Sequence, residues 1–376
     1  MDSVPPNPGG DSPSRRDGDR PVPRLVFWET TAGCNLHCIH CRRLDVADQL
    51  MHDDLTTDEG KQLLEQIADF AWPVLVFSGG EPLMRPDIFE LGGFARLLGM
   101  ITALATNGTL VTPQVARKIR DAGFHRVSIS IDGADANTHD RFRGLAGSFD
   151  RAVQGLTHLR TAGVSTQINC TIAKHNADQL PDAVALAEKV GAEAIHYFLL
   201  VPVGCGQEIA ADQMLDGREV EDRLNLLADL STQTELHLKA TCAPHYYRII
   251  RQKAARTGRQ ARKPGTGHPM TAMTKGCLAA SAVCFVSHQG DLFPCGYLPL
   301  KAGNVRQRPF QEIWESSAVF AELRDPNLLK GKCGSCEFKH VCGGCRARAF
   351  YEHGDHLAEE PFCIYEPRQS TGRHPA

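Results

Sequence analysis

The chain has 376 residues with 41 basic and 44 acidic side chains, so its formal net charge of −3 excludes a nucleic-acid binder that works by bulk positive charge. Apolar residues make up 42% and charged residues 23%, which is typical of a globular chain that can bury a full core. No apolar run approaches the length of about 18 residues that a membrane span needs, and the polar N-terminal segment does not resemble a secretion signal. We therefore expect a cytoplasmic protein that contacts neither membrane nor nucleic acid.

Strand-like and helical segments alternate regularly through the first half of the chain. Strands are predicted at 24–30, 74–77, 102–105, 126–131, 165–172 and 194–200. Helical periodicity predicts helices between them at 57–70, 88–98, 113–122, 149–162 and 180–190. About six βα repeats indicate an α/β fold with a parallel barrel or open sheet. Reactive groups in such folds lie on loops at the carboxyl ends of the strands.

The second half is less regular. A helix is predicted at 220–230, and the basic run 248–263 leads into a Pro- and Gly-rich loop. We place a domain boundary near 270, because the cysteine-rich segment after it would be held by metal more than by a core. The predicted units are a disordered tail at 1–22, a barrel at 23–235, a linker with the basic segment at 236–275, a cysteine-rich domain at 276–366 and a second disordered tail at 367–376.

The chain contains 14 cysteines, and their clustering favours metal ligation over disulfide bonds in a reducing compartment. Cys34, Cys38 and Cys41 form a C-x3-C-x2-C motif directly after the first predicted strand. Three thiolates can hold three irons of a [4Fe–4S] cluster and leave the fourth iron open to another ligand. A zinc site completed by His37 or His40 is the alternative.

Further motifs place small polar groups at predicted strand ends. Gly79-Gly80-Glu81-Pro82 follows the second strand, where glycines let the backbone approach a ligand closely and the glutamate can pair with an ammonium group. Asn107 follows the third strand, and Ser130 and Asp132 follow the fourth. Each motif alone is typical of a plain turn, but the combination in this order with the cysteine triad points to a cofactor site.

Residues 24–200 resemble the radical S-adenosylmethionine (radical SAM) superfamily through the cysteine triad and the GGEP motif. The resemblance implies a partial (β/α)6 barrel in which the open iron binds S-adenosylmethionine (SAM) and cleaves it to methionine and a 5′-deoxyadenosyl radical. It implies that Gly79, Gly80 and Glu81 hold the methionine end of SAM, that Ser130 and Asp132 lie near the ribose, and that Asn107 also belongs to the cofactor site. It assigns no catalytic residue toward the substrate.

The C-terminal cysteines resemble the SPASM domain, with Cys342-x2-Cys345 one residue shorter than the usual spacing. The resemblance implies one or two auxiliary [4Fe–4S] clusters. The first would be held by Cys277, Cys284, Cys295 and Cys345, and the second by Cys333, Cys336, Cys342 and Cys363. Of these, Cys284 fits the pattern least well, and a zinc ribbon built from the last five cysteines is the alternative. Among the remaining cysteines, Cys170 is expected in the core, while Cys205 and Cys242 could contact substrate or iron.

Segments 24–42, 238–252, 276–296 and 332–349 resemble SPASM enzymes of the siroheme-dependent heme pathway, the heme b synthases among them. The resemblance implies an iron tetrapyrrole substrate, oxidative decarboxylation of the propionates of Fe-coproporphyrin III to vinyl groups, and an electron donor such as ferredoxin or flavodoxin. Arg248, Arg251 and Lys253 are candidates to bind substrate carboxylates, although a solvated helix face explains them equally well. His245 is a candidate to ligate the tetrapyrrole iron or stack on the ring.

Other functions remain open at this point. Sister enzymes act on didecarboxysiroheme or a heme d1 precursor, and other SPASM enzymes modify ribosomal peptides. Sulfatase-maturing relatives carry an aspartate at the position of Gly296, which counts against that branch. A non-catalytic heme or metal chaperone would bind zinc or heme at the cysteine triad and would not consume SAM.

Overall fold

One ten-stranded sheet organises the part of the chain that the computed structural model describes, which is residues 21–43, 48–257 and 275–368. Seven parallel strands lie side by side in chain order: β1 (Leu25–Glu29), β2 (Val74–Ser78), β3 (Ile101–Thr106), β4 (Arg126–Ser130), β5 (Ser165–Ile172), β6 (Ala194–Leu199) and β7 (His237–Thr241). Beyond β1 the sheet continues with β8 (Val283–Val286), β9 (Asp291–Phe293) and β10 (Gly303–Asn304). Strand β8 runs parallel to β1, and β9 and β10 are antiparallel to their neighbours. The predicted α/β fold with a parallel sheet is confirmed.

Helices connect successive parallel strands and fill the region after β10. They are α1 (Thr57–Phe70), α2 (Ile88–Leu97), α3 (Pro113–Ala122), α4 (Ala136–Arg143), α5 (Ser148–Thr161), α6 (Leu180–Lys189), α7 (Ala210–Gln213), α8 (Gly217–Leu230), α9 (His245–Thr257), α10 (Phe310–Ser316), α11 (Ala318–Arg324), α12 (Gly331–Ser335) and α13 (Arg346–His353). The helices predicted between the first six strands are confirmed, each to within one residue at either end.

Helix α4 was not predicted, because Phe142 is its one large apolar side chain and its sequence has no apolar stripe. Local capping defines it instead. Asp135 accepts a hydrogen bond from the backbone N–H of Thr138 at 2.9 Å, and the helix ends at Gly144 in a left-handed conformation with φ 70°. The helix therefore begins and ends where the sequence supplies caps.

The segment 236–275, expected as a linker, contains structure of its own. Strand β7 pairs with β6 from Ala194 opposite His237 to Phe198 opposite Thr241, so the sheet gains a seventh parallel strand. This strand is hard to recognise in the sequence because it is short and has only two apolar side chains, Leu238 and Ala240, while the polar Lys239 between them is also buried. Helix α9 covers the first part of the basic run, whose remainder lies outside the described residues, as do most of both predicted tails.

A continuous apolar core lies between the sheet and its helices. Trp28 on β1, Leu64 and Ile67 on α1, and Leu104 on β3 are fully buried in it. Complete burial of such a side chain stabilises a fold by roughly 1.5–3 kcal/mol. The region after β10 joins this core through Phe310 and its neighbours, since the rings of Phe310 and Phe70 lie 6.3 Å apart.

The sheet is curved around a cavity on its other side. Side chains from β1 through β8 all line this one cavity, which is possible only if the eight strands bend around a common centre. The strands β7 and β10 form the two edges of the sheet, so the barrel is partial and its ends are not hydrogen-bonded to each other. The carboxyl ends of the parallel strands deliver their loops to this cavity.

Candidate active site and cluster sites

The central cavity has a volume of about 360 Å³ and collects most of the site residues predicted from the sequence. Its walls include Cys34, Cys38, Cys41, Gly79, Gly80, Asn107, Ser130, Cys277, Cys295 and Cys345. Segments from the first and last parts of the chain therefore meet at one site. Glu81, Asp132 and Cys284 do not belong to the cavity wall.

The two glycines after β2 fix the cysteine loop against the sheet. The backbone N–H of Gly80 donates to the Thr31 carbonyl at 2.9 Å, and that of Glu81 donates to the Gly33 carbonyl at 2.7 Å. A Cβ atom at Gly80 would lie 2.3 Å from the Gly33 carbonyl oxygen, which is a severe clash with backbone. Only glycine permits this close approach, so the GGEP motif and the cysteine loop form one unit.

Glu81 is fully buried behind the wall and acts as a hydrogen-bond acceptor for the end of β3. Its carboxylate accepts from the hydroxyl of Thr106 at 2.7 Å and from the backbone N–H of Asn107 at 2.8 Å. Burial raises the pKa of Glu81, although these bonds to its charged form oppose that shift. The Asn107 amide in turn donates to Asn35 in the cysteine loop at 2.9 Å. Glu81 thus positions the loops around the cavity, and its direct contact with SAM stays a prediction.

Asp132 is also fully buried, and it holds an arginine against the cysteine loop. Its carboxylate lies 2.6 Å from Arg143 Nη2 and accepts from the backbone N–H of Thr171 at 2.7 Å. Burial opposes ionisation, but the charge of Arg143 outweighs it and lowers the pKa of Asp132. Arg143 lines the cavity and also donates to Cys38 Sγ at 3.8 Å. A cation at this position favours the thiolate that iron requires.

His40, inside the cysteine motif, is committed to contacts with protein groups. Its Nε2 atom lies 3.3 Å from the Asp132 carboxylate, and its ring stacks on Phe142 with 4.0 Å between centroids. Burial lowers the pKa of His40 to about 3, so the imidazole is neutral near pH 7. These contacts engage Nε2 and one face of the His40 ring, whereas the thiols of Cys34, Cys38 and Cys41 all belong to the cavity wall. Three thiolates facing a cavity beside backbone glycines are the donor set of an iron–sulfur cluster with one open iron.

A second group of thiols lies in the C-terminal region. Cys333, Cys336, Cys342 and Cys363 line one small cavity, the set predicted for the second auxiliary cluster. Backbone N–H groups already point at the sulfurs: Phe338 donates to Cys336 Sγ and Glu360 to Cys333 Sγ, both at 3.4 Å. Such N–H···S bonds stabilise thiolate ligands, so this donor set fits a fully cysteine-ligated cluster.

The set predicted for the first auxiliary cluster needs a correction. Cys277, Cys295 and Cys345 line the central cavity, but Cys284 lies in β8 and is fully buried in the apolar core. Successive side chains of a strand point to opposite faces, and its neighbours Val283 and Phe285 face the cavity. Cys284 therefore faces away from the other three thiols. The cysteine that does join them in the cavity wall is Cys242.

The structure also places the remaining candidates from the sequence, which are Cys170, Cys205 and His245. Cys170 is buried in the core, as expected, and Cys205 Sγ donates to the Arg43 carbonyl at 2.9 Å. His245 lies with the second thiol group rather than in the central cavity. Among the residues that the structure describes, none forms a hydrogen bond with either nitrogen of its buried ring.

In the described part of the basic segment, the three candidate cations Arg248, Arg251 and Lys253 do not line the central cavity. Arg248 is paired with Glu221, Lys253 lies 2.6 Å from Asp229, and Arg251 is exposed on α9. The arginines that do line the cavity are Arg42, Arg43, Arg143 and Arg346. Two of these directly follow the last cysteine of the triad, a position in the sequence that could have identified them.

Two of the cavity arginines share one buried carboxylate. Glu29, at the end of β1, pairs with Arg42 and lies 2.7 Å from Arg43 Nη1 and 2.8 Å from His288 Nδ1. The Arg42 guanidinium also lies 4.2 Å from the centre of the Phe285 ring. Two guanidinium groups facing one carboxylate leave the cavity wall positively charged at this point.

Within the described residues, no helix is both long and apolar enough to cross a membrane.

Comparison with known proteins agrees with this geometry. The family model of the radical SAM superfamily matches residues 28–187, and that of the SPASM iron–sulfur cluster-binding domain matches residues 277–345. The fold is similar to the crystal structure of SuiB from Streptococcus suis bound to the precursor peptide SuiA, with a TM-score of 0.72 at 18% identity over 92% of this chain and 76% of that one. The chain is a radical SAM enzyme, an oxidoreductase that uses [4Fe–4S] clusters and SAM.

Two curated relatives from Methanosarcina barkeri narrow the class. The AdoMet-dependent heme synthase is 49% identical over 92% of this chain and 97% of the relative. The Fe-coproporphyrin III synthase of the same organism is 32% identical over 94% of this chain and 90% of the relative. The chain belongs to the family of the AdoMet-dependent heme synthases.

Proposed function

We propose that this enzyme converts two propionate side chains of Fe-coproporphyrin III to vinyl groups and so produces heme b. The observation that supports this most directly is the composition of the central cavity, where the cysteine triad, three auxiliary-site cysteines and four arginines share one wall. The higher identity to the heme synthase than to the Fe-coproporphyrin III synthase of the same organism favours this reaction over the sister reaction.

The cavity matches the chemistry of a flat polyanionic macrocycle. Leu25, Phe27, Phe198 and Phe285 provide apolar and aromatic surface for the ring. Arg42 and Arg43 provide guanidinium groups that suit carboxylates. The Arg42 side chain is 23% exposed, so part of it is accessible from the cavity while Glu29 holds the rest. A neutral peptide substrate would not require this cluster of cations.

The proposed reaction has the same two stages at each propionate, removal of a hydrogen atom and then loss of CO2 and one electron. When bound, the triad cluster and SAM supply the radical that accepts a hydrogen atom from the propionate β-carbon. The side chain would then lose CO2 and pass one electron to an auxiliary [4Fe–4S] cluster, which leaves a carbon–carbon double bond. The protein's task is to hold a β-carbon close to the cysteine loop, and arginines that bind the carboxylates would fix that distance. An external one-electron donor such as ferredoxin or flavodoxin, and a reducing cytoplasm, belong to the same proposal.

One anaerobic turnover experiment tests the proposal. The reconstituted enzyme is mixed with SAM, dithionite and Fe-coproporphyrin III, and the products are read by mass spectrometry. We expect loss of CO2 and two hydrogens at each of two side chains, together with 5′-deoxyadenosine. Deoxyadenosine with unchanged porphyrin would contradict the substrate assignment, and conversion of didecarboxysiroheme or of a peptide instead would identify the sister or peptide reaction.

A matched pair of variants tests the role of the cavity arginines. Arg42→Gln should raise the KM for Fe-coproporphyrin III by about 10-fold or more, because a hydrogen bond to a charged group contributes about 1.5–3 kcal/mol. Arg251→Gln, on the exposed side of α9, should leave the KM unchanged. SAM cleavage without porphyrin shows whether the cysteine loop next to Arg42 is intact. Equal KM values in both variants would remove Arg42 as a carboxylate ligand.

A further inference from the structure

We propose that Cys242 is the fourth ligand of the first auxiliary cluster, together with Cys277, Cys295 and Cys345. The matched SPASM region begins only at residue 277, so this ligand would come from outside it, from the end of the barrel. Cys242 and Cys277 are far apart in the sequence, yet both line the central cavity. Cysteine spacing alone does not reveal this relationship, which depends on the tertiary structure.

The four cysteines share the wall of one cavity. All four residues line the central cavity, and Cys345 is buried in a small apolar cluster against which Cys242 and Cys295 pack. Four thiols at one cavity are the donor set of a cysteine-ligated [4Fe–4S] cluster.

The backbone at Cys242 is held in an unusual conformation. Its φ is +54°, and among the described residues Ala280 is the one other non-glycine residue with a positive φ. A left-handed conformation is costly for a residue with a Cβ, and such outliers concentrate at functional sites. Cys242 follows directly after β7, so this turn sets the direction of its side chain at the carboxyl end of the strand.

Cys284, the competing candidate for the fourth ligand, faces away from Cys277, Cys295 and Cys345. The backbone of Cys284 is paired opposite Val26 of β1, and its side chain is fully buried among apolar residues. Moving its thiol to the cavity would require a one-residue shift of β8, which would also turn Val283 and Phe285 into the core. Cys242 reaches the other three thiols without any rearrangement.

The assignment gives the cluster a structural role. Cys242 lies at the end of β7, one edge strand of the open sheet, whereas Cys277 precedes β8 and Cys295 follows β9 near the opposite edge. A cluster held by all of them would tie the two ends of the partial barrel together across the cavity. Cys284, within the sheet, could not close the barrel in this way.

The test compares matched variants of the full-length chain, reconstituted anaerobically, by iron and acid-labile sulfide content and by electron paramagnetic resonance after reduction. Cys242→Ala should lose about four iron atoms per chain and one of the reduced-cluster signals. Cys284→Ala should retain its full iron content and an unchanged spectrum. Full iron content in Cys242→Ala, or loss of one cluster in Cys284→Ala alone, would overturn the assignment.

A second variant separates ligand loss from misfolding. Cys242→Gly removes the thiol but tolerates the left-handed backbone, so it should fold even if the alanine variant does not. We expect circular dichroism of Cys242→Gly to match that of the parent chain while about four iron atoms are lost. A folded Cys242→Gly protein with the full iron content would overturn the assignment as well.

Discussion

The barrel, residues 25–241, and the segment 331–368, which we call the cysteine lobe, are stabilised in different ways. The barrel buries long apolar faces of α1, α3, α5 and α6 in one continuous core. The cysteine lobe has only two short helices, α12 and α13. Only two of its residues, Cys345 and Ala347, are buried members of the small apolar cluster that it shares with Val201 and Leu298. Hydrophobic burial can therefore stabilise the barrel, whereas the lobe depends on individual hydrogen bonds and ion pairs and on the metal that its thiols would bind.

Polar contacts replace an apolar core in the cysteine lobe. The buried pair Arg348–Glu360, at 2.9 Å, connects α13 to the loop before Cys363, and Glu360 also accepts from the backbone N–H of Cys345 at 2.5 Å. Glu360 in turn donates its own backbone N–H to Cys333 Sγ. Glu360 thus forms hydrogen bonds with one predicted ligand of each auxiliary cluster, Cys345 of the first and Cys333 of the second. A region without a core can therefore still be ordered if every buried charge has a partner.

Removal of iron should separate the two regions most clearly. When a chelator strips the holoprotein, we expect amides of the cysteine lobe to exchange with deuterium at least about a thousandfold faster, since the loss of about 4 kcal/mol of local stability corresponds to that factor. Amides of α1 and α5 should keep their protection, because their burial does not depend on metal. Hydrogen exchange with mass spectrometry measures both regions in one sample. Equal acceleration in the barrel and the lobe would refute the distinction.

The buried ion pair should have the next largest effect. Arg348→Met leaves the Glu360 carboxylate buried without its cation, which should destabilise the lobe by about 3–5 kcal/mol. The double variant Arg348→Met/Glu360→Leu should recover much of that loss, and Lys330→Met, which removes an exposed pair with Asp355, should cost less than about 1 kcal/mol. Urea titrations monitored by cluster absorbance compare the three. A small effect of Arg348→Met would show that the lobe does not depend on this pair.

A buried histidine should make the stability of the barrel sensitive to acid. Burial lowers the pKa of His139 on α4 to about 4, while its Nδ1 accepts from the backbone N–H of Asp132 at 3.0 Å. Because the folded state resists protonation, this stability is fully present above the unfolded pKa of about 6.5 and is lost as pH falls to about 4. The loss should reach up to about 3 kcal/mol, and His139→Gln should reduce it. Urea midpoints at several pH values test this, and an unchanged pH slope in the variant would exclude His139 as the cause.

The smallest effect is expected at the contact between α1 and the segment after β10. Arg306 binds both carboxylate oxygens of Glu59, at 2.7 and 2.9 Å, and lowers the pKa of Glu59 to about 2. Both side chains are about one-third exposed, so Arg306→Ala should cost up to about 1 kcal/mol and less at high salt. Arg308→Ala, which breaks a pair within α10 and its flank, is the matched control. Thermal unfolding at two salt concentrations measures the stability of both variants. A loss of more than about 1 kcal/mol in Arg306→Ala would mean that this contact contributes to the packing of the segment after β10 against α1.

Much of the barrel could be predicted because its elements bury one face each. The helix 113–122, for example, begins with Thr112 as a cap, has Pro113 in its first turn and ends at Gly123, whose φ is +86°, and the structure confirms both ends. Helix α4 escaped prediction because capping and not an apolar stripe defines it, and strand β7 escaped because it has only two apolar side chains. Of the cavity arginines, Arg42 and Arg43 could have been identified by their position directly after Cys41, whereas nothing in the local sequence sets Arg143 and Arg346 apart from arginines on a solvated helix.

The sequence by itself determined the class of chemistry, because thiol spacing in C-x3-C-x2-C and the glycines of GGEP are local requirements of the cysteine loop and its backbone contact. It also determined the second thiol group, whose four cysteines lie close together in the folded lobe. Only the tertiary structure decided which face of β8 Cys284 occupies, that Cys242 joins the other auxiliary thiols, and that Glu81 and Asp132 lie behind the cavity wall. These outcomes depend on strand register and on contacts between residues far apart in the chain, which no local pattern encodes.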